Sequence, residues 1–381
     1  IQEAFRDPNA PRGTPAYRLT FDAQGDKLII TSGPGASAAD FERALEENLR
    51  GLLEQAKSGA YRAPPVRRVH IPKGDGSRTR PLGIPTFADK VLQRAVQMVL
   101  EPVYEQDFLP CSFGFRPGRN AHQALHSLRD SLMSMHGGWV LEVDVQSFFD
   151  TLDHRHLQQI VRQRVGDGVL TRLIGKWLNA GVLESGVRST SDTGTPQGGV
   201  ISPLLANVYL HEVLDRWIEL EVRPRMRGAM HLVRYADDFV FVFAREGDAR
   251  RVLAVLPKQF GKYGLTLHPD KTRLVPFRRP PLRPDASSSA EAPGTFELLG
   301  FTLHWGRTQR GLNVVQLRTS SSRLTRSLNA LRAWCASHRH DPVREQHATL
   351  VQKIRGHVQY FGVRDNHSGV ARFVGPSGPP P

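Results

Sequence analysis

The chain has 381 residues, 39% of them hydrophobic and 23% charged, which is enough apolar content for a core and too much for wholesale disorder. Two cysteines, Cys111 and Cys335, exclude a disulfide scaffold and a cysteine-built zinc site. No apolar run approaches the roughly 18–20 residues of a membrane span, and no charged-then-apolar signal peptide opens the chain. These features describe a soluble protein of a reducing compartment, with no membrane partner. The net charge is +14, and the stretch from Arg278 to Asp365 holds 14 Lys/Arg against 6 Asp/Glu. Such a basic concentration points to nucleic acid.

In chain order, residues 1–35 are rich in Gly, Pro and polar residues, with a small hairpin expected over Phe21–Ile30. A helix follows over 38–57, with Phe41, Leu45, Leu49, Leu52 and Leu53 on one face. Val66–Ile71 alternates like a strand, Lys73-Gly74-Asp75-Gly76 is a turn, and Arg80–Ile84 is the return strand. Helices are predicted over 87–101 and 121–135. Leu141–Val145 reads as a strand, with Leu141, Val143 and Val145 on one face and Asp144 on the other.

Helices are predicted next over 154–165 and 168–180. A Gly/Pro loop over 194–199 leads to a helix over 203–220. Leu232–Phe243 is a hairpin, followed by a helix over 248–262 and a strand over Thr272–Phe277. Residues 278–295 read as a surface insertion. Phe296–Trp305 and Leu312–Leu317 read as strands, 321–361 as a basic helical tail, and Gly375–Pro381 as a disordered end. Strands and helices mix without regular βαβ alternation, so the fold class is α+β.

The chemistry gathers at the hairpin. Asp237 and Asp238 sit between two apolar, strand-forming runs. Two adjacent carboxylates near a buried sheet end repel each other unless a cation neutralises them, and a divalent metal with oxygen ligands is the natural partner. Asp144, at a strand end, supplies a third carboxylate. Such a set suits two magnesium ions, the arrangement that clamps the attacking and leaving oxygens of phosphoryl transfer.

Asp144-Val145-Gln146-Ser147-Phe148-Phe149-Asp150 and Tyr235-Ala236-Asp237-Asp238 resemble the two catalytic palm motifs of reverse transcriptases. Six further segments align in order with the group II intron branch of that family. They are Ile71–Pro85, Tyr104–Arg119 with Ser112-Phe113-Gly114-Phe115-Arg116 at its centre, Gly194–Asn207, Leu265–Lys271 with Leu298-Leu299-Gly300-Phe301, and Ile354–Gly362. The resemblance spans about residues 38–366. It implies a right-hand polymerase with an antiparallel palm sheet and a helical basic thumb. Fingers are expected over 38–135, palm over 136–305 with helices at 154–180, and thumb over 306–366. An extension over 1–37 matches poorly, and 367–381 is expected as a disordered tail.

The resemblance also implies roles. Asp144, Asp237, Asp238 and the main-chain carbonyl of Val145 are expected to hold two Mg2+, with Mn2+ as a substitute. Lys73, Arg80, Phe149, Gln197 and Lys271 are expected around the incoming nucleotide, with Phe149 under the deoxyribose and Phe148 in the core. Arg116, Arg119, Gly300, Arg323, Arg326 and Arg332 are expected against nucleic acid, positioning it without reading sequence.

The implied activity is RNA-directed DNA synthesis from an RNA template, a DNA primer and deoxynucleoside triphosphates. Binding and splicing assistance to a structured intron RNA are implied alongside it, in a bacterial cytoplasm. The alternatives are a related enzyme serving CRISPR-associated or phage-defence systems, and an RNA-binding maturase with a decayed polymerase. Past the thumb no His-Asn-His pattern and no cysteine pairs follow, so target-DNA cleavage by this chain is not expected. The histidines, His122 and His154 among them, show no metal spacing and read as structural, and Cys111 as a buried small hydrophobe.

Overall fold

The computed structural model describes residues 37–73, 78–184, 187–189, 194, 198–281 and 294–375, and the backbone of 19–21 and 28–30. β1 (Leu19–Phe21) and β2 (Leu28–Ile30) pair as a short hairpin. The helix expected over 38–57 is interrupted at Ala44, giving α1 (Ala38–Arg43) and α2 (Leu45–Ser58). Of the apolar face drawn from periodicity, Phe41 is buried and Leu52 packs partly against the core, whereas Leu45, Leu49 and Leu53 are exposed; Ala56 also packs inward.

β3 (Val66–Lys73) and β4 (Arg78–Ile84) form the next hairpin; the tight turn between them lies outside the described residues. α3 (Phe87–Glu105) starts from the Thr86 cap and runs a turn beyond its predicted end. α4 (Ala121–Ser134) starts from a reciprocal cap between Asn120 and Gln123. Then come β5 (Gly137–Val143), the single turn α5 (Phe148–Thr151), α6 (His154–Arg164) and α7 (Gly168–Leu178), the last two capped by Asp153 and Asp167. β6 (Val182–Glu184) and β7 (Val187–Ser189) join the β3–β4 hairpin in the order β4-β3-β6-β7.

The helix predicted over 203–220 begins as α8 (Ser202–Leu210) and then widens into π turns at His211–Arg216 and Ile218–Val222. β8 (Met230–Tyr235), β9 (Asp238–Phe243), α9 (Glu246–Gly261) and β10 (Arg273–Arg278) complete the central sheet, ordered β10-β5-β9-β8 and antiparallel throughout. Of the predicted insertion, residues 282–293 lie outside the described residues.

The strand expected over Phe296–Trp305 is two strands, β11 (Phe296–Leu298) and β12 (Phe301–Arg307). Leu299 and Gly300 both adopt positive φ, +53° and +80°, which turns the chain back on itself. β12 pairs with β13 (Asn313–Thr319), and α10 (Ser321–Ser337), α11 (Val343–Phe361) and α12 (His367–Val374) follow.

The central sheet is covered on both faces. Leu141, Val143, Leu232, Phe239, Phe241 and Phe243 pack against α8 and α9. Val140, Val233, Val240, Val242 and Phe277 pack against Leu125 and Leu128 of α4 and against Phe301, Leu303 and Val315 of the small sheet. A strand buried on both faces reads as an unbroken apolar run, as β9 does, because neither face can be polar.

Residues 367–374, expected within a disordered tail, are helical. Phe373 stacks on the His357 ring at 3.6 Å, and the buried Asn366 donates to Thr319 Oγ1 and to the Phe361 carbonyl at 2.6 and 2.8 Å. An apolar anchor and a satisfied buried amide hold the segment down; residues 376–381 lie outside the described residues. Among the described residues no helix is long and apolar enough to cross a membrane.

Candidate active site

The sheet register brings the carboxylates to one edge. Val143, the last residue of β5, faces Phe239 of β9. Asp144 follows Val143 and Asp238 precedes Phe239, so both leave neighbouring strands at the same end. Asp237 lies beside them in the turn Ala236-Asp237, which joins Tyr235 to its partner Asp238.

Beyond Asp144 the chain leaves this sheet and is stitched to the segment after α9. His268 N–H donates to the Asp144 carbonyl at 2.8 Å, Gln146 N–H donates to the Thr266 carbonyl at 2.8 Å, and Val145 bridges Leu267. That segment delivers Lys271, whose Nζ stands 3.0 Å from Asp144 Oδ2.

The turn is backed by the stretch around Gly114. Arg234 N–H donates to the Cys111 carbonyl and Phe113 N–H to the Arg234 carbonyl, each at 2.8 Å. A Cβ on Gly114 would lie 2.4 Å from the Ala236 amide nitrogen, so only glycine fits. Burial pushes the Cys111 thiol up to about 12, which keeps it a neutral, inert neighbour.

Phe148 and Phe149 divide as their surroundings dictate. Phe148 is buried against Tyr209, whereas Phe149 is half-buried and meets Phe148 edge-on at 5.3 Å between centroids. Gly194, at the head of the Gly/Pro loop, is tied to the same region. Its N–H donates to the Leu152 carbonyl at 2.8 Å, and His154 Nε2 donates to its carbonyl at 2.5 Å. At the loop's other end a Cβ on Gly198 would lie 2.7 Å from the Gly83 carbonyl of β4. Gly194 thus stands beside Phe149's turn and Gly198 beside the β3–β4 hairpin. Gln197 lies outside the described residues, as do the side chains of Lys73 and Arg80. The hairpin register sets Arg80 opposite Ile71.

The residues expected on nucleic acid separate into three environments. Arg116 is a correction: only 8% exposed, it donates Nε and Nη2 to Glu105 at 2.9–3.2 Å and Nη1 to the carbonyls of Leu109 and Ser112 at 2.9 Å. Four of its five N–H groups serve the fold. Arg119 is half-buried over the Phe113 ring at 5.2 Å. Arg323, Arg326 and Arg332 are exposed along α10. A Cβ on Gly300 would lie 3.6 Å from the Arg323 side chain, so the Leu299–Gly300 turn and the first turn of α10 form one surface.

Three groups sequence reasoning missed are Asn207, Asp215 and Arg234, which sit beneath the carboxylate turn. The signal for them is weak, because a charge in a strand and a polar residue in a helix both read as surface.

No set of three or more His, Cys, Asp or Glu side chains is preassembled around one point among the described residues. The donor chemistry nevertheless fits a hard divalent cation. The groups at the edge are carboxylates, and Asp144 already holds a cationic group, the Lys271 ammonium.

The sequence profile of the reverse transcriptase (RNA-dependent DNA polymerase) family matches residues 71–303. The chain is 36% identical over 291 residues to protein YkfC of Escherichia coli (strain K12), covering 68% of this chain and 75% of that one. It is 43% identical over 175 residues to the group II intron-encoded protein LtrA of Lactococcus lactis subsp. cremoris, covering 45% of this chain and 28% of LtrA. A 91 kDa protein in the cob intron of Schizosaccharomyces pombe is 39% identical over 168 residues, covering 44% of this chain and 20% of that one. The chain thus spans less than a third of these two longer intron proteins. Its matched span contains the whole carboxylate edge and the loops around it, and the chain belongs to the reverse transcriptase (RNA-dependent DNA polymerase) family, in its group II intron-type branch.

Proposed function

We propose that this chain is an RNA-directed DNA polymerase that extends a DNA primer along an RNA template with deoxynucleoside triphosphates, and that it binds a structured intron RNA whose splicing it assists. The observation that supports the reading is the sheet register, which puts Asp144 after the end of β5 and Asp237 and Asp238 at the β8–β9 turn, at the same end of neighbouring strands, with Lys271 paired to Asp144.

In this reading Asp144 and Asp237, with Asp238 alongside and the Val145 carbonyl, would hold two divalent cations, magnesium or manganese. Bound there, such ions would activate the primer 3′-hydroxyl and stabilise the departing pyrophosphate. The chain's own groups do the positioning. Lys271 neutralises Asp144 before the substrate arrives and is long enough to swing toward a triphosphate. Phe149 presents a ring edge where the sugar would lie. By their place in the family's motifs, Lys73 and Arg80 would meet the triphosphate and Gln197 the incoming nucleotide. Arg119, Gly300 and the α10 arginines Arg323, Arg326 and Arg332 hold the template–primer backbone.

The test is primer extension on an RNA template with magnesium. Asp237→Asn removes a ligand charge without removing a phosphate contact, so it should abolish synthesis and leave RNA binding near wild type. Substantial extension by this variant would overturn the reading.

A further inference from the structure

Arg234 lies on β8, three residues before Asp237, and is completely removed from solvent. Its guanidinium forks onto Asp215, Nε to Oδ1 at 2.8 Å and Nη2 to Oδ2 at 2.6 Å, and Asp215 is equally buried. Nη1 donates twice more, to Asn207 Oδ1 at 2.9 Å and to the Ala236 carbonyl at 3.1 Å. Asn207 closes the network by donating Nδ2 to the Gly114 carbonyl at 2.7 Å. α8, its π extension, the Gly114 stretch and β8 thus converge on one main-chain carbonyl, that of Ala236. Ala236 is also the residue held at φ +58°, a conformation that an alanine adopts only at a cost.

Stability does not account for this arrangement. A buried ion pair gives up its hydration, and well-packed apolar side chains of similar volume commonly serve a fold as well or better. What the pair supplies is direction. A planar fork fixed by a carboxylate has its Nη1 hydrogens set in direction, one toward Asn207 and the other toward the turn. Burial disfavours the guanidinium charge, but Asp215 more than offsets this and Arg234 stays firmly protonated.

The π turn serves the same end. In a regular α-helix, eight residues would carry Asp215 about 80° round the axis from Asn207. The π turn at His211–Arg216 takes up an extra residue and draws Asp215 back toward the face that bears Asn207.

We infer that Arg234 is a positioning residue for nucleotidyl transfer. Anchored on Asp215 and Asn207, it holds the Ala236 carbonyl and so fixes the turn that aims Asp237. This rests on the reading of Asp237 as a metal-binding carboxylate.

The experiment removes both charges together, Arg234→Met with Asp215→Leu, so that no unpaired charge is left buried. Thermal unfolding, primer–template affinity, nucleotide KM, kcat and the magnesium concentration for half-maximal rate are measured beside wild type and Asp237→Asn. The double variant is expected to fold and to keep primer–template affinity and nucleotide KM. Its kcat is expected to fall about 100-fold, the cost of misplacing a reacting group by about 1 Å, and its magnesium requirement to rise.

A folded double variant with wild-type kcat overturns the proposal, as does a loss of kcat that only tracks a loss of primer–template affinity. If the double variant does not fold, Arg234→Lys keeps the charge and loses the fork; a folded Arg234→Lys at wild-type kcat is equally decisive against it. Activity in Asp237→Asn would instead show that the reading of the turn has failed. An inert Asp237→Asn beside a fully active double variant would remove the positioning role alone.

Discussion

Lys271 and Asp144 form an ion pair across the carboxylate edge, Nζ to Oδ2 at 3.0 Å, though 127 residues separate them. A cation entering this edge has to displace the ammonium. Exposed pairs of this kind are worth about 0.2–1 kcal/mol, so Lys271→Met should tighten Mn2+ binding to the free protein a few-fold. Electron paramagnetic resonance of free Mn2+ reads this directly. Unchanged or weaker binding would show that Lys271 does not compete for the site.

Phe149 is expected to govern sugar selection. Its ring is half-buried beside Phe148, and in the proposed reading shrinking it should make room for a 2′-hydroxyl. Phe149→Val should raise ribonucleotide use relative to deoxyribonucleotide at least about tenfold, roughly 1.4 kcal/mol of differential transition-state binding. Phe148 is 2% exposed, so Phe148→Ala should instead cost about 3–5 kcal/mol of stability. Single-nucleotide extension and urea unfolding on both variants separate the roles. Lost discrimination in Phe148→Ala with discrimination kept in Phe149→Val would reverse the assignment.

The exposed arginines of α10 are expected to set the salt dependence of nucleic-acid binding. Each phosphate contact releases counterions, so neutralising Arg323, Arg326 and Arg332 together should reduce the slope of log K against log salt by about 2–3. An unchanged slope would mean that this face of α10 points away from the duplex. Arg116→Gln, by contrast, should leave the slope alone and lower stability, because its guanidinium holds Glu105 and two carbonyls inside the protein.

Asp89 gives stability an unusual pH dependence. It is 2% exposed on α3 and accepts from the Tyr61 hydroxyl, which in turn accepts from Trp177 Nε1 at 3.0 Å. Burial pushes its carboxyl up to about 7. The folded value exceeds the unfolded one, so the contribution is complete below about pH 4 and is lost as the pH rises toward 7. Wild type should therefore lose stability on the order of 4 kcal/mol across that interval relative to Asp89→Asn, which stays neutral. Urea unfolding at pH 5 and pH 8 checks it, and parallel curves for the two proteins would refute it.

Much of this site is legible in the sequence because its parts announce themselves locally. Apolar runs flanking Asp237 and Asp238 mark a buried hairpin, and Gly194 and Gly198 mark close backbone approach. What escapes is what depends on distant partners. Arg234 sits in an apolar strand where alternation sends a charge to solvent; its partners Asn207 and Asp215 lie 27 and 19 residues away. Arg116 reads as a surface cation because Gly and Pro surround it, yet Glu105 draws it inside. The π widening after Leu210 keeps the same apolar composition as the α-helix it replaces, so periodicity passes over it. α2 fails in the opposite sense: Leu45, Leu49 and Leu53 obey the helical period and are still exposed, because periodicity identifies a face and not what covers it. The strand β5 begins earlier than its apolar run, since Gly137 and Gly138 admit the carbonyls of Phe277 and Phe243, where a Cβ would stand 2.1 and 2.2 Å away.

The attachment of α11 has a mechanical side. Its C-terminal end is pinned: Phe361 is buried, the Tyr360 hydroxyl donates to the Leu299 carbonyl at 2.9 Å, and His122 of α4 donates Nε2 to the Tyr360 carbonyl at 2.7 Å. Its other end, at Val343, is 81% exposed. The 19-residue helix is about 28 Å long, so it is a lever with its pivot beside the Gly300 turn. A tilt of about 10° at that pivot carries the Val343 end about 5 Å, more than the 3.4 Å rise of one nucleotide along a strand. A small angular change at the packed base is thus amplified into a displacement of the Val343 end larger than one nucleotide step.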